Sequence, residues 1–156
     1  MNLRRETRKI GRVPRIPLPS WDPYRFTSAR QSKGWTLAQV ARASGIRTSQ
    51  IHQYSAGRTA PPPHALVKIA EALDVHTTDL APMSDPPRLH ELRWHAGLSV
   101  ADVAERVGLS QGYTAGILRG ETEILKPDVW AKALGVSIET LLRAWAATNE
   151  DLLPPG

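Results

Sequence analysis

The stretch GWTLAQVARASGIRTSQIHQYSAGR, Gly34 to Arg58, returns 63 residues later as GLSVADVAERVGLSQGYTAGILRGE, Gly97 to Glu121, with no gap across 25 positions. Gly34, Ala38, Val40, Ala41, Gly45 and Gly57 recur as Gly97, Ala101, Val103, Ala104, Gly108 and Gly120. Self-similarity at a fixed offset sets the unit of architecture. Within the unit, Thr36-Leu37-Ala38-Gln39 fits a capping box that opens a helix, and Leu37, Val40 and Ala41 form its apolar stripe. Gly45 falls where the chain must turn, which predicts a positive φ there. A second short helix is expected from about Thr48 to Ala56, burying Ile51 and Tyr54.

Outward from this core the same plan extends. A helix from about Tyr24 to Lys33 ends at Gly34, and HALVKIAEALDV places Leu66, Ile69, Ala70 and Leu73 at helical spacing. In the second copy Arg30 recurs as Arg93, while Leu73-Asp74-Val75 recurs as Leu134-Gly135-Val136 at an offset of 61, so a connecting loop has lost two residues. Ser137 is expected to cap a longer final helix carrying Ile138, Leu141, Leu142 and Trp145. Nothing alternates as a strand does, so the fold class is all-α, with two tandem domains of about five helices each. The boundaries expected are a basic arm over residues 1–23, extended or disordered, a first domain over 24–82, a Pro-rich linker over 83–88, a divergent second domain over 89–150 and a frayed tail over 151–156.

The net charge of +5 is unevenly spread. Residues 1–25 hold seven basic and two acidic groups, a balance of +5, and residues 83–156 hold seven basic and ten acidic, a balance of −3. Between Asp22 and Glu71 there is no carboxylate, whereas Arg25, Arg30, Lys33, Arg42, Arg47, Arg58 and Lys68 all lie there. Such a field attracts polyanions. With no cysteine and five scattered histidines, no zinc-ligand spacing arises, and no metal or cofactor is expected. No phosphate loop, nucleophile elbow or acid/base pair stands out, so the chain does not read as an enzyme. No apolar run approaches the roughly 18 residues of a membrane span, and a cytoplasmic location is expected.

The arm carries Arg4, Arg5, Arg8, Lys9, Arg12 and Arg15, then Pro14, Pro17, Pro19 and Pro23. Two readings stand side by side. Either it settles on phosphates or a minor groove, or it drapes over the first domain through Ile16, Leu18 and Trp21.

The pattern T-L-A-Q-V-A-x-x-x-G-I…I-x-x-Y-x-x-G over Thr36–Gly57 resembles the lambda-repressor/Cro (Xre-type) family of helix-turn-helix regulators. The resemblance covers about residues 26–82, and about 89–143 again with weaker outward-facing positions. It implies that Ala41 and Ala104 stay small beneath a crossing helix, and that Ile46, Leu109, Ile51, Tyr54 and Ile117 fill the core between helices. It also implies that Thr48, Ser49, Gln50, His52 and Gln53 face bases in the major groove, where glutamine pairs with adenine and hydroxyls meet several bases. Lys33, Thr36, Arg47 and Arg58 would then hold phosphates. Arg47 occupies a position where the family often has a Ser or Thr cap.

The second copy presents Gln111, Gly112, Ala115 and Gly116 at the matching outward positions, a poor reading face, and leaves only weak contacts through Gln111 and Arg119. It reads as scaffold or as a homodimer surface built on Leu141, Leu142 and Trp145. The partner implied is double-stranded DNA. The function implied is a sequence-specific transcriptional regulator of prokaryotic, phage or plasmid origin, acting as a repressor in the family's manner. An antitoxin-like or adaptor protein-interaction module is the alternative, and an RNA-binding role a third.

Overall fold

A computed structural model describes residues 20–154. The arm residues Arg4, Arg5, Arg8, Lys9, Arg12 and Arg15 lie outside them. The described residues form ten helices and no strand, and they divide into two compact units between Met83 and Ser84.

The first unit contains α1 (Pro23–Lys33), α2 (Leu37–Ser44), α3 (Thr48–Ser55), α4 (Pro63–Leu73) and α5 (Thr77–Leu80). Asp22 caps α1 by accepting from the Tyr24 amide, and Pro23 supplies the fixed φ that suits a first helical position. Gly34 ends α1 in the left-handed region at φ 70°. The capping box of α2 is complete: Gln39 N donates to Thr36 Oγ1, and Thr36 N donates to Gln39 Oε1. The core is built from Phe26, Val40, Ile51, Leu66, Ile69 and Leu80, all fully buried. Trp21, the one described residue of the three expected to drape the arm over this domain in one of its two readings, belongs to this core; its indole lies 5.4 Å from the Phe26 ring and donates to the Tyr54 carbonyl at 3.0 Å.

The second unit repeats the plan with α6 (Leu89–His95), α7 (Val100–Val107), α8 (Gln111–Leu118), α9 (Pro127–Leu134) and α10 (Ile138–Glu150). Four of these core positions have buried apolar counterparts: Leu89 for Phe26, Val103 for Val40, Trp130 for Ile69 and Leu141 for Leu80. The arginines correspond too. Arg30 Nη1 donates to the Trp35 carbonyl at 2.7 Å, and Arg93 Nη1 donates to the Leu98 carbonyl at 2.8 Å. In each copy this bond ties the first helix to the chain entering the second.

The last helix is where the copies part. α10 runs 13 residues and packs so closely over Gly120 that an added Cβ would sit 2.8 Å from Asn149 N. Asn149 Nδ2 donates to the Gly120 carbonyl, and Leu89 N donates to Thr148 Oγ1. Ser84, Arg88 and Asp151, expected in linker and tail, are held by this unit: Ser84 N donates to the buried Glu91 carboxylate, and Arg88 pairs with Asp151.

This architecture corrects the homodimer surface at one of its three residues, Leu141. Leu141 is fully buried in its own core, and the half-buried Trp145 donates its indole N–H to the Thr122 carbonyl. Of the three, Leu142 is the most open, at 46% exposure. A 13-residue helix laid along one small domain turns one face inward, and Leu141 with Ala144 lies on it.

Candidate nucleic-acid interface

The short loop between α2 and α3 sets the geometry of the first copy. Gly45 closes α2 at φ 73°, and its amide returns to the Ala41 carbonyl at 2.9 Å. α3 then leaves at a new angle, pinned by its inward residues Ile51 and Tyr54. Ala41 beneath it is nearly buried, so a larger side chain would lift the crossing helix. Burial pushes the Tyr54 phenol above its ordinary pKa, which keeps it neutral. The Trp21 indole closes the far end of α3 at the Tyr54 carbonyl. Trp21 therefore positions the candidate reading helix; its sequence signal was the Asp22-Pro23 helix start that follows it.

With about 100° between successive helical residues, Thr48, Ser49, His52 and Gln53 share the face opposite Ile51 and Tyr54, and Gln50 stands at its flank. Thr48, Ser49, Gln50 and His52 are exposed, while Gln53 is half-buried at the edge of the helix. The structure thus brings together on one rod the five residues expected to face bases.

Around them the basic side chains differ in how they are held. Lys33 Nζ lies 4.5 Å above the centroid of the Trp35 ring, so the indole restrains it. Arg47 occupies the N-cap of α3 without any side-chain capping bond, and both it and Arg58 are exposed. At the matching place in the second copy, Ser110 caps α8 by accepting from the Tyr113 amide. A cation thus stands where a cap would stabilise the helix. Thr36 is exposed at the start of α2, but its oxygen is already engaged by Gln39 N.

The second copy's face is different in kind. Gln111 and Gly112 are exposed and Ala115 half-buried, but Gly116 is buried, with Thr122 Oγ1 only 3.3 Å from where its Cβ would be. Gly116 therefore does not face outward as expected, because the loop after α8 closes over it. Arg119 donates to Glu121 in two bonds of 2.9 and 3.1 Å, and the guanidinium lowers the Glu121 carboxyl below its ordinary range. Leu109 is 38% exposed rather than in the core, beside the exposed Tyr113 and Leu125. Among the described residues no helix is long and apolar enough to cross a membrane.

A family model described as "Helix-turn-helix" matches residues 28–80, and one described as "Helix-turn-helix domain" matches residues 88–145. Comparison with curated proteins and with solved structures returns no match.

Proposed function

The chain belongs to the helix-turn-helix family through two tandem domains, the first of lambda-repressor/Xre-like type, and is in general terms a DNA-binding regulator; from this premise we propose that it reads duplex DNA sequence-specifically through the major groove. The observation that carries this reading is the exposed row Thr48, Ser49 and His52 on a helix anchored from behind by Ile51 and Tyr54. That row sits in a segment with no carboxylate from residue 23 to residue 70. Gln53, Gln50 and the hydroxyls meet base edges, whereas Lys33, Arg47, Arg58 and the amides opening α2 at Thr36 meet phosphates. The arm arginines and Lys9 add phosphate or minor-groove contacts, and Gln111 and Arg119 contribute little. Repression follows from occupying a promoter. The interaction-module alternative loses part of its support with Leu141 in the core.

Selection of bound duplexes from a random pool tests the proposal. A shared motif should emerge, and Gln53→Ala should lose roughly 1–3 kcal/mol of discrimination at one base pair. With roughly six phosphate contacts, affinity should fall by orders of magnitude between low and moderate salt. An absence of any enriched sequence, or a salt slope near zero, would overturn it.

A further inference from the structure

A cleft of about 160 Å³ opens in the second domain between α8 and α9, with the buried Ile117 and Trp130 beneath and Leu109, Tyr113 and Val129 on its walls. Leu125 stands at its lip, 75% exposed, and among the described residues that line it Lys126 alone carries a charge. The duplication shows what changed there. Tyr113 stands where the first copy has Gln50, and Val129 where it has Lys68. A polar face in one copy has become an apolar one in the other. Tyr113 and Leu109 are 41% and 38% exposed, so these walls meet water and gain free energy when an apolar guest displaces it.

We propose that this cleft is a binding site for a small aromatic carboxylate of benzoate size, with the ring in the apolar slot and the carboxylate on the Lys126 ammonium. Volume fits the ring, since an apolar cavity of ~150 Å³ takes one benzene-sized molecule. The two aromatic side chains that line the slot suit a planar guest, whose face or edge can meet theirs. Lys126 supplies the sign. It is exposed at the N-cap of α9, and among the described residues no carboxylate forms an ion pair with it. Asp128, the nearest acid in sequence, lines a separate depression together with Arg106 and Lys132. A cation at the edge of an apolar slot attracts a carboxylate more strongly than one in open water, because the walls lower the local dielectric. One filled slot with one ion pair, open on one side, gives a Kd on the order of 1 mM for a ligand of about nine heavy atoms. The first copy carries Gln50 and Lys68 at two of the wall positions, so the same ring finds no apolar slot there. The site lies within the second domain and does not depend on the DNA reading above.

Titration of benzoate into the full, isotope-labelled chain tests the site. The amide signals of Leu109, Tyr113, Val129 and Trp130 should move together and saturate, while those of Gln50, Ile51 and Lys68 stay fixed. Benzoate at ten times its Kd should slow amide exchange at Trp130 about tenfold. Benzyl alcohol, the same ring without the charge, should bind about tenfold more weakly, and acetate should move none of these signals. Lys126→Gln should erase the advantage of benzoate over benzyl alcohol. Tyr113→Gln, which restores the first copy's residue at an exposed position, should weaken both ligands about tenfold. Shifts spread over both domains, or matched by acetate, would reduce the effect to diffuse anion binding and overturn the proposal. Benzyl alcohol binding as tightly as benzoate, or a benzoate affinity unchanged in Lys126→Gln, would overturn the carboxylate assignment. Affinities unchanged in Tyr113→Gln would place the ligand outside the cleft. Cleft signals that move on dilution of the chain and ignore benzoate would assign the cleft to a second copy and overturn the small-molecule site.

Discussion

Arg88 and Asp151 meet in two hydrogen bonds, Nε to Oδ2 at 2.9 Å and Nη2 to Oδ1 at 3.1 Å, with their side chains 3% and 17% exposed. The remaining Arg88 Nη1 donates to the Pro86 carbonyl at 2.7 Å. The pair fastens the segment that enters the second domain to the end of its last helix. Removing one partner of a buried pair leaves a charge with no counterion, which costs about 3 kcal/mol. Asp151→Ala should therefore speed amide exchange at Trp130 and Leu141 roughly 100-fold, while Ile51 and Leu66 in the first domain exchange as before. Unchanged rates at Trp130 would mean the pair is not holding the domain.

Arg47 and Ser110 stand at the same place in the two copies, and only Ser110 caps its helix. If Arg47 trades stability for a phosphate contact, Arg47→Ser should act in opposite directions on the two properties. The first domain should gain about 0.5–1 kcal/mol from the new cap. Duplex affinity should drop on every sequence, and the salt dependence should lose about one unit of slope. Paired thermal melts and binding titrations measure both. A variant with unchanged affinity would remove Arg47 from the interface.

Thr114 occupies, in α8, the position that Ile51 holds in α3, and its hydroxyl is buried without a hydrogen-bond partner. Thr114→Val keeps the shape and removes the unsatisfied group, so it should stabilise the second domain by about 1 kcal/mol. Denaturant unfolding would report a higher midpoint at constant slope. A lower midpoint would show that the hydroxyl is satisfied in solution.

The helices were legible because their signals are local. Thr36 with Gln39, and Gly34 and Gly45 after their helices, each act within one turn of chain. The outward row on α3 was legible for the same reason, since burial of Ile51 and Tyr54 fixes the opposite face. Contacts between distant residues were not. Nothing near Asp151 in sequence announces Arg88, and nothing near Trp21 announces the Tyr54 carbonyl it caps. Leu141 misled because an apolar residue at helical spacing says that one face is buried, not which residues lie on it, and Leu109 because a resemblance in the turn does not say what its neighbours leave uncovered. The buried Gly116 was hidden likewise, since its cover is Thr122, beyond the helix end.

His95, whose first-copy counterpart is the exposed Ser32, gives the second domain an acid-sensitive stability. Its ring meets that of Trp94 edge-on at 5.5 Å, and burial lowers its pKa from 6.5 to about 4. The unfolded chain therefore takes up a proton near pH 6.5 that the native domain refuses until about pH 4. Over that window the unfolded state binds more protons, so stability falls as pH falls, and the dependence flattens below it. The total, allowing for solvent at the ring, is about 2 kcal/mol. His95→Gln should shrink the difference between the second domain's unfolding free energies at pH 7 and pH 4, read from urea titrations, by that amount, without moving the first domain's transition. Equal pH dependence in the two chains would show that the imidazole accepts its proton in the folded state.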